Sequence, residues 1–276
     1  MHFDLVQSIS LNGSAGIAND DRAGSKSTCA WVIDGATDLG RPGLLGEQGG
    51  AAWLAATADA GFSISSADRL ADSCRQMFDH VAARFAAEKR RPVDHVWELP
   101  SAAFAAVQLN GKTMDVAWAA DCVVLLRSGE AVRWCTPMPN RVTESASAAA
   151  LGLGIGAQAL RSPAVLEDRR AHRARPGRRV LGVDAAASAA AMSTASTAVA
   201  LGDSVLLMTD GFSALVDAYA VYRAEELFAA IEARGLAALG EELRAVEAED
   251  AACVRYPRFK RSDDATALWV RVTGVG

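Results

Sequence analysis

Ser101–Cys135, SAAFAAVQLNGKTMDVAWAADCVVLLRSGEAVRWC, is the stretch that decides the fold class. Four short runs, Ala103–Leu109, Thr113–Ala119, Cys122–Arg127 and Ala131–Cys135, are parted by Asn110-Gly111-Lys112, Ala120-Asp121 and Ser128-Gly129-Glu130. Runs of that length with such dividers are hairpin signals, and they predict an antiparallel meander. On the N-terminal side, Cys29–Ala36 (CAWVIDGA) predicts a buried strand running into a turn, and Gly49–Gly61 and Ser66–Lys89 predict helices. In the second helix Leu70, Cys74, Met77, Phe78, Val81 and Phe85 recur at three- and four-residue steps, the pattern of a helix packed on a sheet. On the C-terminal side, Ser204–Thr209 and Ala265–Val272 predict strands, while Phe212–Tyr219, Ala224–Arg234 and Ala238–Glu249 predict helices. Between the two halves lies Arg141–Ala200, rich in Ala, Ser, Gly and Arg, whose weak periodicity predicts an insertion of irregular structure. Strands in blocks and helices in blocks make the class α+β, not an alternating doubly wound fold.

Bulk composition removes several function classes. A net charge of −5 over 276 residues argues against a general polyanion binder, so no nucleic-acid partner is expected. The five cysteines (29, 74, 122, 135 and 253) are scattered, odd in number and form no CxxC pair; they predict reduced thiols in a cytoplasm. Four histidines without an HExxH speak against a zinc hydrolase. Met1–Ser10 lacks the form of a signal peptide. The longest uncharged stretches, Ser145–Leu160 and Ala185–Gly202, are Ala, Gly, Ser and Thr rich and make poor membrane spans. The expectation is a soluble, cytoplasmic protein with no membrane partner.

The chemistry is carried by four acidic clusters set far apart. They are Asn19-Asp20-Asp21-Arg22, Ile33-Asp34-Gly35-Ala36-Thr37, Met208-Thr209-Asp210-Gly211 and Ser262-Asp263-Asp264-Ala265-Thr266. Singly, each has a plain reading: Asp-Gly after a strand is a turn signal, and the other two suit solvated loops. As a set, they place carboxylates at strand edges along the whole chain. Carboxylates gathered by folding repel unless a cation sits between them, and hard divalent cations suit them best.

These motifs carry a resemblance. The order N-D-D-R, V-I-D-G-A-T, L-L-M-T-D-G-F and D-D-A-T-A-L-W-V resembles the bacterial branch of the metal-dependent protein phosphatases of the 2C type (PPM). It extends from Ser8 to Val272 and includes P-S-A at Pro100 and A-D-C-V at Asp121. The resemblance implies a β-sandwich of two antiparallel sheets flanked by helix pairs, formed as one phosphatase domain over 1–276, with 141–200 as a variable flap. It implies two Mg²⁺ or Mn²⁺ ions, with Asp34 bridging them and the Gly35 carbonyl reaching one. Asp210 and Asp263 would complete the first ion's shell. Asp20, where Glu is usual, and Asp21 would hold the second, partly through water. Asp34 and Asp210 would be the residues on which catalysis depends. The implied reaction is hydrolysis of phosphoserine and phosphothreonine in proteins by a water between the metals, opposing a Ser/Thr kinase.

Departures from the family pattern qualify this. Gly16 stands where an Arg usually grips the phosphate, Ala36 where some members have His, Ala120 where Gly is expected, and Ala214 where a third-metal acid would lie. The insertion offers Arg161, Arg169, Arg170, Arg173, Arg175, Arg178 and Arg179 as replacements for the missing grip; a solvated charged face is the plain alternative. Two other functional readings stand beside the leading one: a catalytically weak module that binds a phosphoprotein, and a phosphatase for a small ester.

Overall fold

The computed structural model describes residues 1–46, 49–157 and 162–274. Two antiparallel sheets form its centre. The first, in spatial order, comprises β1 (His2–Leu11), β11 (Ala265–Thr273), β10 (Ser204–Met208), β6 (Val123–Ser128) and β7 (Ala131–Trp134). The second comprises β2 (Asp21–Ser25), β3 (Cys29–Gly35), β4 (Ser101–Asn110), β5 (Thr113–Ala119) and β9 (Ser193–Ala198), with β8 (Leu181–Gly182) paired to the start of β4.

Period-two alternation sorts the side chains into three apolar layers. On β4, Ala103, Ala105, Val107 and Leu109 face the other sheet, where they meet Val205 and Leu207 of β10 and Leu268 and Val270 of β11. The intervening Ala102, Phe104 and Ala106 face α1 (Gly50–Ile64) and α2 (Leu70–Glu88) through Leu54, Phe62, Met77 and Phe78. On the far side, Leu206 and Met208 pack on α7 (Ala224–Glu249) through Leu227, Phe228, Leu239 and Leu243. Both faces of β4 and β10 are thus covered, which is why their sequences read as near-continuous apolar runs. The order helix, sheet, sheet, helix is the α+β class read from the sequence and the sandwich that the family resemblance implied.

The expected strands and helices form, with differences that have causes. β1 and β2 carried no usable signal: β1 is an edge strand with only Phe3 fully buried, and β2 is a five-residue strand begun by an acid. Arg141–Ala200 is not irregular. It holds α3 (Val142–Leu151), α4 (Pro163–Arg173), α5 (Ala185–Ala191) and, in β9, the edge strand of the second sheet. STASTA in β9 has no apolar face to betray it. The helix expected over Phe212–Tyr219 is a single turn, α6 (Asp210–Ser213), followed by tight turns. α7 is broken at Gly235, whose φ of +80° separates the two expected helices where Gln7 of β1 packs against it. The Gln7 amide oxygen accepts from Leu236 N–H at 2.7 Å.

Candidate active site

Strand register gathers the acidic motifs at one end of the sandwich. In the second sheet Asp21, opening β2, sits directly across from Asp34 near the close of β3. In the first sheet β10 and β11 run antiparallel, so the end of β10 delivers Asp210 beside the loop that carries Asp263 into β11. Asp121 enters from the turn between β5 and β6. The Asp264 carboxylate ties these parts together. It accepts from Gly13 N–H at 2.7 Å and Asp20 N–H at 2.6 Å, fastening the loop before β2 to the loop before β11. Thr209 adds a second tie: its hydroxyl donates to Asp21 at 2.8 Å and accepts from Thr266 N–H at 2.9 Å.

Asp34, Gly35, Asp121, Asp210 and Asp263 line a cavity of about 570 Å³. Asp20 faces an adjoining groove with Thr37, Asp38 and Gly16. Asp21 is buried behind the cavity, and its second carboxylate oxygen has no hydrogen-bond partner. The sequence-predicted set is therefore gathered at one end, with Asp34, Gly35, Asp210 and Asp263 in the cavity and Asp20 and Asp21 beside it.

Crowding sets the protonation. Burial, then the charges of Asp21 and Asp210, raises Asp34 well above the usual carboxylate range. Burial and Asp263 do the same to Asp21. Burial and Asp264 push Asp20 to about 7. Asp121 lines the cavity with an exposed side chain, and desolvation and then the charge of Asp210 push it to about 7. Asp210 goes the other way. Burial works to raise it, yet the Arg141 guanidinium and a hydrogen bond from Asp34 hold it below the usual range.

Two cations enter this acid cluster. Arg141 places Nη2 2.6 Å from an Asp210 carboxylate oxygen, and the two side chains are only 15% and 18% exposed. Lys260 pairs with Asp263. Among the described residues, no three acidic, His or Cys side chains are arranged as a ready-made metal cage. The donors are nonetheless all oxygen, as Mg²⁺ and Mn²⁺ require. Asp21 also holds an unsatisfied buried oxygen, and the shared positive shift of Asp20, Asp21, Asp34 and Asp121 marks a cluster short of positive charge. The residues fit hard divalent cations.

The arginines of 141–200 divide into those that brace the structure and those that face the cavity. Arg170 donates twice to the Leu39 carbonyl, at 2.7 and 3.0 Å, and stacks over Trp97. Arg179 donates to the Ala191 and Met192 carbonyls. Arg169 pairs with Asp168 and lies over Phe259. Arg173 reaches the Thr37 carbonyl at 2.9 Å and lines the cavity together with Arg175 and Arg178. Arg161 lies outside the described residues. Burial, reinforced by Arg178, lowers Arg173 to about 10; burial also lowers Arg178, against the pull of Asp121.

Sequence reasoning missed Arg141, Lys260, Glu144 and Asp217, all on the cavity wall, and the tie made by Asp264. The motif S-D-D offered Asp264 as a second acid beside Asp263; only the fold separates a cavity acid from a loop fastener. Arg141, the one Lys or Arg between Arg133 and Arg161, carried no signal, because nothing near it in the sequence ties it to the distant Asp motifs.

No family model matches the sequence, and no curated protein matches it. Solved structures do. The serine/threonine phosphatase PstP/Ppp of Mycobacterium tuberculosis has a TM-score of 0.59 at 14% identity, over 99% of this chain and 100% of that chain. The catalytic domain of PstP in complex with two manganese ions gives 0.56 at 14% identity, over 99% of both chains. The PPM Ser-Thr phosphatase MsPP of Mycobacterium smegmatis, in complex with cacodylate, gives 0.54 at 16% identity, over 98% of this chain and 99% of that one. Matched over nearly its whole described length, the chain has the fold of the bacterial PPM-type serine/threonine phosphatases.

Proposed function

We propose that this chain is a metal-dependent phosphatase of phosphoserine and phosphothreonine in proteins, acting in the cytoplasm against a Ser/Thr kinase. The observation that carries the reading is one cavity whose lining divides between two charge types: carboxylates Asp34, Asp121, Asp210 and Asp263, and guanidinium groups Arg173, Arg175 and Arg178. A phosphate ester bridging bound cations and guanidinium groups suits that division. Asp34, the Gly35 carbonyl, Asp210 and Asp263 would hold one Mg²⁺ or Mn²⁺, and Asp20 and Asp21 would take part in holding a second. Bound ions would supply an activated water for in-line attack on phosphorus. Residues 1–276 would act as one domain, with the helical part of 141–200 as its flap. Of the flap arginines, Arg173 would orient the phosphate and Arg175 and Arg178 the peptide around it, while Asp264 and Thr209 keep the acidic loops in register.

The test is hydrolysis of p-nitrophenyl phosphate by wild type and Asp210→Ala, with EDTA, Mg²⁺ or Mn²⁺. Expected is turnover that needs Mg²⁺ or Mn²⁺ and falls at least about a hundredfold in the variant. Full activity of Asp210→Ala, or activity untouched by EDTA, refutes the assignment. One observation favours a second reading, a weak phosphoprotein-binding module: Asp210 and Asp263 already pair with Arg141 and Lys260. Robust metal-dependent turnover ends it.

A further inference from the structure

Among the described residues, Arg141 is the one cavity arginine paired with Asp210. It precedes α3, at the root of the segment that carries the other arginines. Its contact with Asp210 is close, 2.6 Å, but lacks the angles of a hydrogen bond, and both Nε and Nη2 are buried without a hydrogen-bond partner. A buried N–H left unmade costs about 1–3 kcal/mol, more on a charged group. Two such groups on one side chain mark a cation that lacks the partner its fork fits. The pair with Asp210 therefore supplies charge and not directed bonding. Glu144 and Asp217 also act on Arg141 and would keep it at the cavity wall if Asp210 turned elsewhere.

A divalent cation on Asp210 cannot share a carboxylate oxygen with a guanidinium 2.6 Å away without strong repulsion. Resting on the metal-dependent reading above, we propose that Arg141 is an exchangeable counter-ion: it neutralises Asp210 while metal is absent, and yields Asp210 to the metal. Released, its unpartnered fork takes two oxygens of the substrate phosphate. The planar fork matches that geometry, which an ammonium does not. One residue thereby couples metal loading to substrate binding.

The test needs no turnover. Mn²⁺ is titrated calorimetrically into metal-free wild type, Arg141→Gln and Arg141→Lys, and orthophosphate is then titrated into each Mn²⁺-saturated protein. Expected for Arg141→Gln is Mn²⁺ affinity raised about tenfold, through loss of the competing cation, and orthophosphate affinity lowered about tenfold. Arg141→Lys should keep Mn²⁺ affinity within about threefold of wild type and still bind orthophosphate poorly. Unchanged or weaker Mn²⁺ binding by Arg141→Gln, or unchanged orthophosphate binding, overturns the exchange while leaving the phosphatase reading intact. No Mn²⁺ binding by wild type overturns both. Should Arg141→Gln fail to fold, the Arg141 Nε–H resonance of wild type, assigned by its loss in Arg141→Lys, gives the answer. It should move on adding Mg²⁺ and again on orthophosphate; a resonance unmoved by Mg²⁺ overturns the proposal.

Discussion

Ala120 holds a φ of +63° in the turn between β5 and β6, immediately before Asp121. A Cβ in that region clashes with its own backbone, at roughly 1–2 kcal/mol for an L-residue. Glycine removes the clash but adds freedom to the unfolded chain, which returns part of the gain. Ala120→Gly should therefore stabilise the protein by about 0.5–1 kcal/mol, read as a melting temperature about 2 °C higher in a thermal scan. An unchanged or lower melting temperature contradicts the argument. Glycine at this position is what the family resemblance led one to expect. The two Asp-Gly pairs, candidate site positions in the sequence, owe their glycines to something other than a turn. Neither Gly35 nor Gly211 has a positive φ. A Cβ on Gly35 would lie 2.8 Å from the Ala51 and Asp20 carbonyl oxygens, and one on Gly211 would overlap the Asp264 backbone carbonyl oxygen. These glycines let the acidic loops close on one another. Spacing along the chain can show that an Asp-Gly ends a strand; it cannot show which backbone presses on it from a residue far away.

At the scale of elements, the segment between β7 and β10 carries the arginines that line the cavity. Arg170 and Arg179 are committed to backbone carbonyls, whereas Arg175 and Arg178 line the cavity without such bonds among those described. If the substrate is a phosphoprotein, the double variant Arg175→Ala/Arg178→Ala should raise KM for a phosphothreonine peptide at least about tenfold, the size of one lost charge-assisted bond. For p-nitrophenyl phosphate, which has no peptide flanks, the rise should stay below about threefold. Equal effects on both would favour a small-ester substrate, and no effect on either would return the arginines to a solvated face. The elements that were legible are those buried on one or both faces. The meander, β3, β10, β11 and the α2 stripe announced themselves by apolar period, because burial demands it. β1, β2 and β9 were not legible, since edge strands and polar strands are held by ladder hydrogen bonds that any sequence can make. The acids could be placed in order along the chain, but the cations that answer them could not.

For the molecule as a whole, the acid cluster should make stability depend on pH and, on the metal-dependent reading, on metal as well. Asp20 and Asp121 are pushed to about 7, and burial raises Asp21, Asp34 and Asp263 as well. Carboxylates of the unfolded chain titrate near 4, so between about pH 4 and 7 the folded, metal-free protein binds protons that the unfolded chain has lost. Stability must then fall as pH rises through this window. Asp210 and Asp250 act oppositely. Arg141 holds the first below its usual range against burial; backbone N–H groups and Arg258 hold the second there, also against burial. Their stabilisation is full above about pH 4 and is lost only in stronger acid. The EDTA-treated protein should consequently melt higher at pH 5.5 than at pH 8. Saturating Mn²⁺ should restore stability at pH 8, because an ion that binds only the folded state at a hundred times its Kd contributes about 2.7 kcal/mol. The same ion should do little at pH 5.5, where protons occupy the carboxylates it needs. Thermal scans at the two pH values, each with EDTA or Mn²⁺, check this. A melting temperature in EDTA that is level or rises from pH 5.5 to 8 would mean that Arg141 and Lys260 already balance the cluster, and that the site does not wait on a metal for its charge.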